Sequence, residues 1–98
     1  MVSYKRVIKP LARKMYNCGI SVLLIPCRVN ESVLTNKDSI IQPVTISILD
    51  SDSDINRFDR AVNNFEYYNC NADLGYYSHY YVSEEDYNNY YMCQLMCK

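Results

Sequence analysis

A chain of 98 residues with 49% hydrophobic residues and a formal net charge of −1 can bury a modest core, which excludes extensive disorder. No apolar run approaches the roughly 20 residues of a membrane-spanning helix, and the basic N-terminal stretch lacks the apolar core of a signal peptide. We therefore expect a cytoplasmic protein. Its five cysteines, an odd number, should be reduced, buried or bound to metal rather than joined in disulfides.

The first half of the sequence predicts one helix and two strands. Pro10 suits a first helical turn and a glycine supplies a left-handed stop, so we expect a helix at about residues 9–18. Residues 20–29 are apolar and β-branched without a helical period, which predicts a central strand buried on both faces. Residues 40–49 alternate in polarity and should form the hairpin partner of that strand, with Pro43 placing it toward an edge.

The second half predicts two further helices around a third strand. Apolar side chains recur at helical spacing over residues 54–68, behind two serines that are candidate N-caps. The aromatic run at residues 75–82 predicts the third strand. Ser83 and Asp86 match a capping box, which opens a last helix that should continue through Cys97.

These elements follow the order αββαβα in a single domain, residues 1–98. We therefore predict an α/β (α+β) fold with a three-stranded mixed sheet packed with helices. A strand, a helix and a further strand in one sheet usually form a crossover that makes the two strands parallel. Strands two and three should accordingly be parallel, and strand one antiparallel to both.

The two halves of the chain differ in charge and in tyrosine content. Residues 1–49 carry seven Lys or Arg against two acids, whereas residues 50–98 carry three against nine. Nine of the eleven tyrosines lie between Tyr67 and Tyr91. Opposed charge blocks often neutralise each other within one fold, so an ordinary globular domain is one interpretation. The other is an acidic interaction surface with tyrosines, which give large contact areas at low entropic cost.

Few residues of the chain match catalytic patterns. There is one histidine, and the two glycines form neither a phosphate-binding loop nor a nucleophile elbow. Cys70 and His79 could act as nucleophile and base, but a lone histidine in an aromatic strand is more often structural. The acids at residues 84–86 stand where a helix start favours negative charge. We therefore expect that the protein is not an enzyme.

Four cysteines are predicted to converge at one edge of the sheet. Cys27 ends the first strand and Cys70 ends the second helix at the same edge. The last helix should return there with Cys93 and Cys97, which lie one turn apart on one face. Four thiolates suit one structural zinc ion, and His79 could replace one of them. Reduced cysteines packed as small apolar side chains are the alternative.

Nucleic acid is a further candidate partner. Aromatic strands can stack on exposed bases, but the surrounding acids oppose phosphate contacts. Basic side chains near the N-terminus could touch nucleic acid or form a solvated helix face, and they are Lys5, Arg6, Lys9, Arg13 and Lys14.

Residues 65–82, FEYYNCNADLGYYSHYYV, together with VLLIPC at residues 22–27, resemble a family of small proteins from phages and conjugative elements of low-GC Gram-positive bacteria. The resemblance covers most of residues 11–82. It includes Cys27 and Cys70, whereas Cys93 and Cys97 lie beyond it. In size and charge the chain is similar to anti-CRISPR proteins that bind Cas9.

The resemblance implies a stoichiometric anti-defence inhibitor that binds a bacterial effector such as Cas9 and interferes with DNA binding. Neither nucleic acid nor a membrane would be its direct partner. The candidate partner-binding residues are Asp73, Tyr76, Tyr77, Tyr80, Glu84, Glu85 and Asp86. The alternative is a zinc-stabilised nucleic-acid-binding or regulatory module of a mobile element, which would use the basic N-terminal half.

Overall fold

The computed structural model describes residues 3–36, 38, 42–48, 54–75 and 77–96. These residues form an α+β arrangement of four strands and three helices. In chain order the elements are β1 (Tyr4–Val7), α1 (Lys9–Asn17), β2 (Val22–Pro26), β3 (Val44–Ile46), α2 (Arg57–Asn69), β4 (Ser78–Ser83) and α3 (Glu84–Met96). Short 3₁₀ helices follow β2 at Glu31–Leu34 and α2 at Ala72–Leu74. None of the helices in these ranges has the length and apolar character that a membrane crossing requires.

The strands form one sheet in the order β1-β4-β2-β3, and every neighbouring pair is antiparallel. β2 is therefore an interior strand, as predicted. Its two faces are both buried, because Leu24 on one face and Ile25 on the other have no exposed surface. β3 lies at an edge, in agreement with the position of Pro43, and pairs with β2 as the expected hairpin partner.

The prediction of a three-stranded mixed sheet in the order αββαβα is wrong in detail. The strand missing from it is β1, whose residues pair with β4 from Tyr4 opposite Ser83 to Val7 opposite Tyr80. Only Val7 of this strand is buried, so its sequence carries no apolar pattern. β3 and β4 do run in the same direction, as predicted. β2 lies between them, however, so β3 and β4 do not pair with each other.

The first helix begins and ends close to its predicted positions, and the last helix begins where predicted. α1 is closed by Gly19, which has a φ of 88° and so adopts the left-handed conformation expected of that glycine. At the start of α3, Ser83 Oγ accepts a hydrogen bond of 3.1 Å from the N–H of Asp86. This contact confirms the predicted N-cap. The predicted end at Cys97 lies outside the described residues.

The middle helix begins later than predicted. The Asp54 side chain accepts a hydrogen bond of 2.8 Å from the N–H of Asn56, which forms a local turn before the first residue of α2. Ile55, expected on the apolar face of the helix, lies in this turn and is 85% exposed. The candidate caps Ser51 and Ser53 lie outside the described residues.

The helices cover one face of the sheet and a loop covers part of the other. The helical face joins the buried side chains Val7, Ala12, Met15, Tyr16, Val22, Leu24, Phe58, Val62, Phe65, Tyr80 and Val82. On the opposite face, residues 29–34 pack over Ile25 and Tyr81. The Tyr81 hydroxyl donates a 2.8 Å hydrogen bond to Glu31 in this loop. Burial, together with this bond, raises the pKa of Tyr81 to about 12.

Candidate functional site at the start of β4

Two grooves meet where β4 extends past the end of β1. The groove that we call the acidic groove has a volume of about 570 Å³ and is lined by Asn63, Glu66, Tyr67, Cys70, Asn71, Asp73, Gly75 and Tyr77. The groove that we call the basic groove has a volume of about 560 Å³ and is lined by Arg6, Val7, Ile8, Lys9, Glu66, Tyr77, Ser78, His79 and Tyr80. Glu66 and Tyr77 line both grooves. These two side chains therefore stand between two chemically different sites.

Strand pairing explains why Glu66 stands at this position. The N–H of Cys27 donates to the carbonyl of Tyr77 at 2.7 Å, so the backbone of Tyr77 faces β2 and that of Ser78 faces the side of β1. The β1–β4 pairing ends at Val7 opposite Tyr80, two residues before it would reach Ser78. Glu66 Oε2 accepts the Ser78 N–H instead, at 3.1 Å. A carboxylate of α2 thus replaces a missing strand partner.

The acidic groove is bordered by exposed aromatic side chains. Tyr67 is 81% exposed, Tyr68 75% and Tyr77 55%, and we call these three residues the tyrosine patch. The rings of Tyr67 and Tyr68 meet edge to face, with centroids 5.0 Å apart. The carboxylates of Glu66 and Asp73 line the same groove as Tyr67 and Tyr77. Large aromatic surfaces beside negative charge therefore occupy one end of the molecule.

The basic groove combines cations with one fully buried hydroxyl. Arg6 and Lys9 line it from the end of β1 and the start of α1. Ser78 is 2% exposed, and its Oγ makes no hydrogen bond of regular geometry among the described residues. The hydroxyl lies close enough to the Tyr80 phenol to act on it as a hydrogen-bond partner, which lowers the pKa of Tyr80 against the larger rise caused by burial. The Ser78 hydroxyl is thus covered by protein atoms beside the core side chain Tyr80.

His79 lies on the sheet face opposite Ser78, as the alternation along β4 predicts. Its ring meets that of Tyr77 edge to face, with centroids 5.5 Å apart. Burial lowers the pKa of His79, and the charge of Arg6 lowers it further, whereas Glu31 opposes the shift. The imidazole is consequently held toward its neutral form.

The structure brings only part of the predicted partner-binding set together. Asp73 and Tyr77 line the acidic groove. Tyr80 is 8% exposed and packs against Phe58, so it belongs to the core. Glu84, Glu85 and Asp86 lie at the other end of the six-residue β4, roughly 20 Å away at about 3.3 Å per residue. Tyr76 lies outside the described residues.

The predicted convergence of cysteines is seen for one pair. The N–H of Tyr77 donates to Cys27 Sγ at 3.4 Å, and Tyr77 lines a groove with Cys70. Burial raises the pKa of Cys70, and Glu66 and the nearby Cys27 raise it further, while Arg28 acts in the opposite direction.

The other two cysteines of the predicted zinc site lie elsewhere or are not described. Cys93 is exposed on α3, which packs on β1 and β4, and Cys97 is outside the described ranges. Within those ranges, no three His, Cys, Asp or Glu side chains are grouped so that they could hold a metal ion. The zinc ion remains a prediction.

Several side chains of the two grooves are absent from the predicted set. Tyr67 lies two residues after Phe65, the last core position of α2, so the helical period itself places it on the outer face. Tyr68 lies three residues after Phe65, beside the apolar face, so its exposure does not follow from the period. The exposure of Tyr67 was accessible from the sequence. The contact between Glu66 and Ser78 was not, because it depends on where β1 ends.

No protein-family model, curated protein or solved structure matches this chain.

Proposed function

We propose that this protein is a stoichiometric anti-defence inhibitor of a mobile genetic element, and that the tyrosine patch and the acidic groove form its binding surface for a Cas9-type effector. The observation that carries the proposal is the exposure of Tyr67, Tyr68 and Tyr77 beside two carboxylates. The resemblance of residues 65–82 to small phage and conjugative-element proteins supports the class of partner.

The chemistry of the surface fits a partner that handles nucleic acid. Cas9-type effectors hold their nucleic acids in positively charged channels. Glu66 and Asp73 offer negative charge to such a channel, and their carboxylates would compete with phosphates for its cations. Tyr67 and Tyr77 offer the aromatic area that dominates the binding energy of many interfaces. In this proposal the acids speed the encounter with the partner, and the tyrosines stabilise the bound complex.

The acids at the start of α3 have a separate role in this proposal. Glu84 and Glu85 are exposed, but they lie at the far end of β4 from the tyrosine patch. Charges at such a distance speed association by steering and add little to the lifetime of a complex. Reversal of Glu84 and Glu85 to lysine should therefore slow association most strongly at low salt.

The direct test is binding to a purified Cas9–guide RNA complex, together with DNA cleavage by that complex. The double substitution Tyr67→Ala/Tyr77→Ala should weaken binding at least ten-fold and restore cleavage. Tyr91→Ala is the matched control, because Tyr91 is 42% exposed on α3 and lines neither groove. Equal binding by both variants would place the interface elsewhere. Failure of the wild-type protein to bind or inhibit a panel of Cas9 proteins would reject this partner class.

The second candidate function is a zinc-stabilised nucleic-acid-binding module. The proximity of Cys27 to Cys70 at one edge of the sheet favours it. Two of the N-terminal basic residues are already engaged within the fold, since Arg13 forms a 2.8 Å ion pair with Asp59 and Lys5 lies over the ring of Tyr87. Metal analysis of protein purified without added zinc, combined with salt-dependent DNA binding, tests this function. Less than about one zinc per ten chains would reject the metal site.

A further inference from the structure

We propose that the outer face of α3 binds the same face of a second copy of this protein, with the two helices antiparallel. Exposed side chains at helical spacing form a stripe along this face, which we call the α3 stripe, and they are Glu84, Asn88, Tyr91, Met92 and Leu95. The α3 stripe shares no residue with the tyrosine patch. The proposal therefore stands without the proposed inhibitor function.

The second half of the α3 stripe is apolar and faces solvent. Tyr91 is 42% exposed, Met92 57% and Leu95 65%. The opposite face of the helix packs on the core through Tyr87 and Tyr90. Adjacent apolar side chains on a helix face that points away from the core are typical of an interaction site. A partner that covers this face would remove them from water.

The two ends of the α3 stripe carry opposite charges. Its first residue is Glu84, in the first turn of the helix. Its other end borders a groove of about 370 Å³ whose lining side chains come from α1 and α3, and they are Leu11, Lys14, Tyr90, Tyr91, Gln94 and Leu95. Lys14 and Glu84 are both exposed, and neither forms an ion pair with another described residue. One end of the face therefore offers a carboxylate and the other an ammonium group.

This order of charges makes the face complementary to itself. A two-fold axis that crosses the stripe sets the start of one helix against the end of the other, so every contact occurs twice. Glu84 of each copy then meets the groove that holds Lys14 of the other copy, and apolar side chains of both copies pack between these contacts. A parallel pair would instead bring Glu84 beside Glu84, where like charges repel.

The same charges select a second copy over a partner of one charge sign. An acidic partner would be attracted by Lys14 and repelled by Glu84, and a basic partner would meet the reverse. α3 has 13 residues and is about 20 Å long at about 1.5 Å per residue. One pair of such helices gives an interface at the small end of known sizes, below about 1,200 Å² of buried surface. We therefore expect a weak, concentration-dependent dimer.

Sedimentation equilibrium of the full chain, from micromolar to millimolar concentration, tests the dimer. A reductant is present throughout, because the exposed thiol of Cys93 could otherwise link two copies. The average mass should rise from that of a monomer toward that of a dimer. A protein that stays monomeric at millimolar concentration would overturn the proposal and leave this face to a partner of another kind.

A matched pair of leucine variants locates the interface. Leu95→Asp places a charge among the apolar side chains of the stripe and should weaken the dimer at least ten-fold. Leu74→Asp is the control, because Leu74 is 67% exposed and lies in the 3₁₀ helix that follows α2. It should leave the dissociation constant within two-fold of wild type. Equal weakening by both variants, or by neither, would overturn the assignment to α3.

A charge exchange tests the antiparallel arrangement. Glu84→Lys and Lys14→Glu should each weaken the dimer several-fold, because each places like charges at both symmetric contacts. The double variant Lys14→Glu/Glu84→Lys restores opposite charges and should return to within two-fold of wild type. Asp38→Lys makes the same change of charge as Glu84→Lys on the exposed loop between β2 and β3, and should leave the dimer unchanged. Failure of the double variant to recover, or equal weakening by Asp38→Lys, would overturn this arrangement.

Discussion

The backbone N–H groups at the two ends of β4 find their hydrogen-bond acceptors in different ways. At its end, pairing with β1 continues to Ser83, and the N–H of Glu84 donates to the Ser3 carbonyl at 2.9 Å before the chain enters α3. At its start, β1 has already turned into α1, and Glu66 of α2 accepts the Ser78 N–H. A backbone carbonyl is therefore the acceptor at the end of β4. A side-chain carboxylate is the acceptor at its start, which two grooves flank.

This difference shows how a small sheet can create a site. An interior strand that extends past the end of its neighbour exposes backbone and side chains that strand pairing would otherwise cover. Buried polar groups there need partners from outside the sheet, and the elements that supply them leave space beside them. At the start of β4 that space holds opposite charges on its two sides, Asp73 on one and Lys9 on the other.

The largest expected effect comes from removal of the side chain that closes the start of β4. Glu66→Ala leaves the Ser78 N–H without its acceptor, so unfolding free energy should fall by about 1–3 kcal/mol. Glu66→Gln keeps an acceptor oxygen and should lose less. Urea denaturation measures both, with Glu85→Gln as an exposed control. If Glu66→Ala matched the control, the hydrogen bond would contribute nothing and the comparison of the two ends would fail.

A smaller effect is expected at the other end of β4, where the N-cap of α3 adds to the backbone hydrogen bonds between β4 and β1. Ser83→Ala removes the acceptor of the Asp86 N–H, and loss of such an N-cap costs about 1 kcal/mol. Ser83→Asp keeps an acceptor at the cap and should remain close to wild type. Thermal unfolding followed by circular dichroism compares the two. A loss for Ser83→Ala larger than that for Glu66→Ala would reverse the ranking of the two ends.

Local signals in the sequence predicted most elements, and non-local pairing accounts for the rest. Gly19 and Ser83 marked helix boundaries because their effects involve neighbouring residues only. β1 has no such signal, since its pattern of Tyr, Lys, Arg and Val buries one residue. It is a strand because it pairs with β4, whose residues lie more than seventy positions later in the chain. Local propensity cannot report such a contact.

Some features of the candidate site were likewise predictable from the sequence, and others depend on non-local pairing. Composition predicted that tyrosines and acids would form a surface, and Tyr77 and Asp73 do line one groove. Strand alternation also placed Tyr80 and Tyr77 on opposite faces, but it could not tell which face the helices would cover. That Arg6 and Lys9 line one groove with Ser78 depends on the end of β1, and this strand is absent from the predicted order.

A pH effect should distinguish the two ends further, because His79 is the single histidine and lies at the start of β4. Its pKa is lowered in the folded state from the ordinary value of 6.5, so the unfolded chain binds the proton more readily. Stability should therefore fall as pH falls from 6.5 toward the lowered pKa. Arg6 opposes the proton and Glu31 favours it. His79→Gln should flatten this part of the profile, measured by urea denaturation; an unchanged profile would contradict the shift.

The smallest expected effect is on thiol reactivity, and it depends on the same carboxylate. Burial, Glu66 and Cys27 raise the pKa of Cys70, so less thiolate is present at neutral pH. Cys70 should react with iodoacetamide several-fold more slowly than the exposed Cys18, as measured by mass spectrometry of peptides over time. Glu66→Gln should accelerate Cys70 and leave Cys18 unchanged, because it removes a negative charge next to one thiol only. If a zinc ion were bound by Cys27 and Cys70, a chelator would accelerate Cys70 as well. Acceleration by Glu66→Gln but not by a chelator would therefore assign the slow reaction to burial and charge at the start of β4, without a metal.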